Sequence, residues 1–346
     1  MPDPDLPAAL VPKKRPFRRQ LWIFLFALLA VAAILINAAA FVAAHAMTHY
    51  VAHADRPHFH VPMTTWDKTR LFLGTLSLPR PVNIYTPADK HLDYETLHFP
   101  GAHGLQLEVW RVRGEEGKPV VLLFPGYEAS KTMLIANARE FHSLGYECWM
   151  VDFHGVGGSQ GSTTTIGWSE ADDVAAASRQ AAQLRPDAPQ VLFGVSLGAA
   201  AILRAEHLHT VEPAALILEC PYDRLTTAVS HRFSALGIPP FPMTDLLVFW
   251  GGAQLGFNPR AMNPVDFARD VQCPTLLMDG DKDYRVGMIN ERAIATALGS
   301  HGTFEVFPDA GHAFYLQRQP DRWRQTVRSF LALHLAPATG NATSAR

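Results

Sequence analysis

The sequence predicts an α/β fold built on a mainly parallel, doubly wound sheet with helices on both faces. Three observations carry this. From Tyr94 to His334, short apolar runs alternate with segments of helical period. The inner runs are apolar at nearly every position, as strands covered on both faces must be. Turn residues separate the runs at spacings that suit β-helix-β crossovers, which close in one hand and give parallel neighbours.

The elements follow in order. Lys13, Lys14, Arg15, Arg18 and Arg19 precede an apolar run from Leu21 to Ala44 whose only strongly polar member is Asn37. As a helix this run would be about 36 Å long, enough to cross a hydrocarbon core with some tilt. Residues 1–20 are therefore expected to be a basic cytoplasmic N-terminus and 21–46 a single-pass signal-anchor helix. Everything after it then lies on the extracytoplasmic side of a membrane. Ala44-His45-Ala46 resembles a signal cleavage site. The run exceeds the usual signal core of about 7–15 residues, which favours an uncleaved anchor.

Residues 47–93 read as a juxtamembrane segment. His45, His49 and His53 recur every four residues, but no carboxylate or cysteine completes a metal set. A polar extension of the anchor helix is expected there. Pro57 and Pro62 end regular structure, and Pro79, Pro81 and Pro87 predict an extended wrap over the following domain.

The domain itself is expected over 94–335. Tyr94–Phe99 and Leu105–Val112 alternate in polarity and predict a half-exposed antiparallel hairpin. Val120–Phe124 predicts a buried strand. Thr132–Leu144 predicts a helix with Ser130 as N-cap and Gly145 as stop. Cys148–Phe153 is the next strand, and Ser169 with Asp172 opens an Ala-rich helix to Leu184. Then come Gln190–Val195 (strand), Leu197–His209 (helix) and Ala214–Glu219 (strand). The stretch 221–270 breaks the alternation and reads as an inserted lid. Thr275–Asp279 (strand), Gly287–Leu298 (helix), Phe304–Phe307 (strand) and Arg322–His334 (helix) close the domain. Residues 336–346 read as a flexible tail.

Composition narrows the function. A formal charge of −2 gives no reason to expect nucleic acid. Cys148, Cys220 and Cys273 are too few and too scattered for a disulfide framework, so buried free thiols are expected. No zinc-type spacing occurs, and no cofactor, metal or protein partner is predicted.

The chemistry concentrates at strand ends. Gly194-Val195-Ser196-Leu197-Gly198 follows an apolar strand and opens a helix, the context of a nucleophile elbow. Positions two before and two after such a serine approach each other, which requires small residues there. A serine needs a base and the base an orienting acid, in the chain order Ser, Asp/Glu, His. His312, after Phe304–Phe307, supplies the base. Asp283, in Asp279-Gly280-Asp281-Lys282-Asp283, supplies the acid, because a loop must extend past its strand to bring a carboxylate behind the histidine. Asp281 is the alternative acid, otherwise a loop stabiliser, and Glu219 is a more distant one. His154 precedes Ser196 and is expected to be a loop histidine bonded to backbone. Oxyanion donors are expected at the N–H of Leu197 and, in Phe124-Pro125-Gly126-Tyr127-Glu128, at the N–H of Tyr127. Glu128 offers a contact for a cationic substrate group, or else is paired within the protein. The lid's Pro239-Pro240-Phe241-Pro242 and Leu246-Leu247-Val248-Phe249-Trp250 suit a lipid-like substrate or simple packing onto the core.

These blocks resemble the α/β-hydrolase superfamily. The likeness is nearest to the serine aminopeptidase/monoacylglycerol lipase-like branch, with its membrane-anchored, esterase-like members. It rests on Pro125-Gly126-Tyr127, Asp152-Phe153-His154-Gly155-Val156-Gly157-Gly158-Ser159, Gly194–Gly198, Gly280–Asp283 and Gly311-His312, in that order. The resemblance implies an α/β-hydrolase fold and a cofactor-free triad of Ser196, Asp283 and His312. Pro125 departs from the pattern, since many members carry His before the oxyanion Gly, and His154 stands where Arg is more usual. The expected function is a serine hydrolase cleaving an ester of a small-molecule or lipid-like acid. A serine aminopeptidase or amidase and an inactive membrane-tethered binding module are the alternatives.

Overall fold

The computed structural model describes residues 17–52, 64, 66, 77–312 and 314–335. His53, Pro57, Pro62, the lysines before residue 17 and the tail 336–346 lie outside the described residues. The apolar run forms one helix, α1 (Phe17–Thr48), long and apolar enough to cross a membrane. Its first two thirds are exposed, whereas Ala40 and Ala44 are buried against the domain. The chain then pairs two residues, β1 (Tyr50–Val51), in parallel with β2 (Leu78–Pro79). The proline-rich stretch after it runs along the surface. Gly157 N–H donates to Pro81 O, and Ser130 Oγ donates to Val82 O.

An eight-stranded sheet forms the centre. Its strands are β3 (Glu95–Pro100), β4 (Gln106–Val112), β5 (Val120–Phe124), β6 (Glu147–Val151), β7 (Gln190–Val195), β8 (Ala215–Glu219), β9 (Thr275–Gly280) and β10 (Gly302–Phe307). Their spatial order is β10-β9-β8-β7-β5-β6-β4-β3, parallel from β10 to β6 and antiparallel beyond. Strands β5 to β9 are buried except for Gln190 at the start of β7, matching their mainly apolar sequences.

Helices cover both faces, and the period-2 alternation of the strands assigns each residue to one of them. Val120, Leu122 and Phe124 of β5 face one core; Val121 and Leu123 face the other. The first core holds α3 (Glu170–Leu184) and α4 (Leu197–His207), whose alanines let helix and sheet approach closely. The second holds α2 (Ile135–His142) and α8 (Pro320–His334), where Phe141, Phe193 and Trp323 meet edge to face. The stretch 221–270 contains α5 (Leu225–Ala235) and α6 (Met243–Leu255), and α7 (Met288–Leu298) follows β9.

Several local expectations change. The hairpin is not evenly half-exposed: β3 alternates, but Val109–Val112 of β4 is buried, because β4 also pairs with β6. Arg111 is tolerated there through bonds to Glu147 (2.7 Å) and Glu95 (2.9 Å). The helix after β5 starts as a 3₁₀ turn, Lys131–Leu134, and the Ser130 hydroxyl goes to Val82 rather than capping it. Ser169 makes no side-chain cap either. Glu170 instead folds back to accept from the Thr165 and Gly167 N–H groups and the Thr164 and Thr165 hydroxyls. Cys148 and Cys220 are buried thiols, but Cys273 is only partly covered.

Candidate active site

Ser196 stands at the carboxyl end of β7, near the middle of the sheet, where the chain turns directly into α4. Its backbone takes φ 53° and ψ −109°, a region that a non-glycine residue occupies only when its surroundings hold it there. The surroundings do so. Ser196 N–H donates to Glu219 O of the neighbouring strand at 2.7 Å. A Cβ on Gly194 would meet the Ala199 nitrogen at 2.6 Å, and one on Gly198 would meet Phe124 O at 2.4 Å. Both positions are closed to any side chain, so the turn exists only with glycine at each.

His312 and Asp283 come from the loops after β10 and β9, which lie side by side and parallel. Ser196 Oγ lies 3.0 Å from His312 Nε2, and His312 Nδ1 lies 2.7 Å from Asp283 Oδ2. A carboxylate can only accept, so the proton sits on Nδ1 and Nε2 is free to accept from the serine hydroxyl. The second oxygen of Asp283 accepts from the Arg285 and Val286 N–H groups at 2.8 and 3.2 Å. Burial alone would raise this carboxyl. The hydrogen bond and charge of His312, with the two backbone donors, outweigh burial and hold it below its ordinary value.

The other acids are placed differently. Asp281 is exposed on the loop. Asp279 is buried and accepts from the Tyr315 hydroxyl at 3.2 Å; burial, then the Asp283 charge, pushes it up to about 7. Glu219 accepts from Trp323 Nε1 on the far side of the sheet, and burial pushes it up to about 8. Cys220 packs beside Asp283 and His312, its thiol pushed well above its ordinary value by burial and by the Asp283 charge. His154 departs from expectation. It is buried and bonds not to backbone but to the Asp173 carboxylate at 2.5 Å. Burial opposes its charge, but Asp173, with the charges of Glu170 and Asp172, outweighs it and raises the imidazole to about 9.

Leu197 and Tyr127 both border a small cavity, together with Gly126, Tyr50, His154 and Glu170. Leu197 N–H opens α4, where the helix dipole favours developing negative charge. Glu128 takes φ 57° and lies 3.4 Å from Arg232 of α5. The same helix places the His231 ring where a Cβ on Gly287, in the loop after β9, would come within 3.4 Å. His45 and His49 spend ring nitrogens on Gln254 and Thr48.

Two family models match this chain in succession: serine aminopeptidase, S33, over residues 115–245, and the prolyl oligopeptidase family over residues 249–338. The fold is that of the Pyrococcus furiosus esterase Pf2001, with a TM-score of 0.62 at 22% identity, covering 74% of this chain and 97% of that one. The chain has the α/β-hydrolase fold. A thermophilic esterase from Thermogutta terrifontis shares the fold of this hydrolase at TM-score 0.51 and 21% identity, over 69% of this chain and 99% of that one. The uncharacterized protein YqkD of Bacillus subtilis is 22% identical over 240 residues, 67% of this hydrolase and 77% of that protein.

The structure brings Ser196, His312 and Asp283 together at strand ends, as the local patterns around each predicted. Sequence reasoning missed Arg232 and the partners of Tyr127, which have no such pattern.

Proposed function

We propose that this hydrolase cleaves carboxylic esters of lipid-like acids through an acyl-enzyme on Ser196. The observation that carries the reading is the unbroken hydrogen-bonded chain from Ser196 through His312 to Asp283, set on an elbow that only two glycines permit. His312 Nε2 takes the hydroxyl proton as Ser196 Oγ attacks the ester carbonyl, and the imidazolium is stabilised by Asp283. The N–H groups of Leu197 and Tyr127 receive the oxyanion. His312 then gives its proton to the leaving alkoxide, the C–O bond breaks, and water attacks the acyl-enzyme by the same route in reverse.

The substrate class rests on exposed apolar side chains: Phe241 and Phe249 in the lid we assign to 221–270, and Tyr284 and Ile289 in the segment that follows Asp283. We assign α1 to an uncleaved signal anchor with its basic end in the cytoplasm and the catalytic domain outside, so that lipid-like esters reach the site from the bilayer. Supporting this, a cut after Ala46 would fall inside a helix whose final turns are packed into the domain. The peptidase alternative would use Glu128 to hold a substrate amine, and its ion pair with Arg232 weighs against that.

A fluorophosphonate probe tests the reading on the full chain in mild detergent. Wild type is expected to label and Ser196→Ala not to. Ester turnover should fall by roughly 10⁴-fold or more in that variant, as when one member of a triad is removed. Folded wild type that resists the probe would point to a binding module. Faster cleavage of aminoacyl anilides than of p-nitrophenyl esters would favour the peptidase.

A further inference from the structure

The end of α1 reaches the oxyanion loop itself. Carbonyls in the last turn of a helix have no intrahelical donor and seek one elsewhere. Here Thr48 O accepts from Thr164 N–H at 2.9 Å, and Met47 O accepts from the Tyr127 hydroxyl at 2.6 Å. Tyr50, the second residue past the helix, is buried. It borders the same cavity as Gly126, Tyr127 and Leu197, and its N–H is fixed to Ser162 O at 2.7 Å. The helix end is itself locked in place. Gln254 of α6 donates to Phe41 O at 2.8 Å, Phe41 and Trp250 meet edge to face at 5.3 Å, and Ala40 and Ala44 have no exposed surface to speak of.

The loop needs such support. Glu128, next to the donor, sits in the left-handed region at φ 57°, a conformation that strains a non-glycine residue. The Tyr127 side chain is held between Met47 O on one side and the Arg232 guanidinium, 5.8 Å from its ring centre, on the other.

We infer that the C-terminal turn of α1, with Met47 and Tyr50, is a positioning element of the oxyanion hole, so that the apolar helix is part of the catalytic apparatus as well as a tether. The inference rests on the assignment of the Tyr127 N–H as an oxyanion donor. It requires that loosening the helix end slow the chemical step while substrate affinity and the Ser196–His312–Asp283 chain stay as they are.

The test uses the full chain in detergent micelles with a p-nitrophenyl ester. Tyr127→Phe removes only the hydroxyl that reaches Met47. Ala44→Phe disturbs helix docking without touching the site, and Ile34→Phe changes an exposed position of the same helix. Losing one oxyanion donor costs about 10²–10³-fold in kcat, so misplacing one should cost about 10- to 100-fold. The expected result is that loss in kcat for Tyr127→Phe and Ala44→Phe, with KM within about twofold, the pH profile unmoved and Ile34→Phe silent. If Ala44→Phe fails to fold, Tyr127→Phe decides alone. Folded Tyr127→Phe with wild-type kcat, or with its loss confined to KM, overturns the inference while leaving the serine reading intact. Wild type that does not react with a fluorophosphonate overturns both.

Discussion

The two sides of the site are held by different means. On the elbow side, the strand before and the helix after Ser196 and the glycines at 194 and 198 lie together in sequence, with backbone atoms of the neighbouring strands, Phe124 O and Glu219 O, closing the turn. On the side of the proposed oxyanion donor, Tyr127 and Glu128 are held by Met47, some 80 positions earlier, and by Arg232, about 100 positions later. A turn specified by its neighbours carries a signature; one specified by remote contacts does not. The first should break by local substitution alone, the second also by substitutions far from the reacting atoms.

The largest effect should come from the charge chain. Asp283→Asn is expected to lower kcat about 10⁴-fold by losing the acceptor that fixes the His312 tautomer, the magnitude seen for the corresponding change in the serine protease triad. Asp281→Asn, two residues away and exposed, should leave ester turnover unchanged; parity of the two variants would remove Asp283 from its role. Next is Gly198→Ala. Its Cβ would stand 2.4 Å from Phe124 O, so the elbow must shift by a sizeable fraction of an ångström. The expected cost is at least about 100-fold in kcat per folded molecule. Normal activity would show that the elbow is less closed than its geometry implies.

A smaller effect concerns stability against pH. Glu219 carries Ser196 N–H on its backbone, and its buried carboxyl is raised to about 8. A carboxyl whose folded value lies above its unfolded one binds its proton more tightly when folded. The stability it contributes is full below its unfolded value and is lost as pH rises through the folded value. Asp279, raised to about 7, acts in the same direction. Glu219→Gln, which keeps an acceptor for Trp323, should match wild type in Tm at pH 5 and exceed it by a few degrees at pH 9. Parallel Tm curves for the two proteins would show that Glu219 does not titrate in this window. The smallest effect belongs to the remote side: Arg232→Ala should lower kcat only a few-fold, because Met47 still holds Tyr127. No additional loss when it is combined with Tyr127→Phe would show that the two supports act as one.

Much of this was legible beforehand, for physical reasons. The sheet was readable because β5 to β9 are covered on both faces and therefore mostly apolar, with polar residues only at or next to strand ends. The elbow was readable because only glycine fits beside it. Ser130 and Ser169 misled, because a hydroxyl near a helix start has other acceptors and donors within reach; Val82 O takes the first, and Glu170 does the work expected around the second. His154 misled because the sequence places Asp173 nineteen residues away, while the fold puts it at hydrogen-bond distance.

The sequence by itself determined the α/β class, the strand-end location of Ser196, Asp283 and His312 and the presence of a helix of membrane-spanning length, because each depends on periodicity or on local sterics. The tertiary structure alone decided which partners hold the Tyr127–Glu128 loop and which part of α1 is packed rather than exposed. Those depend on which surfaces meet, and an apolar run reads the same whether lipid or protein covers it.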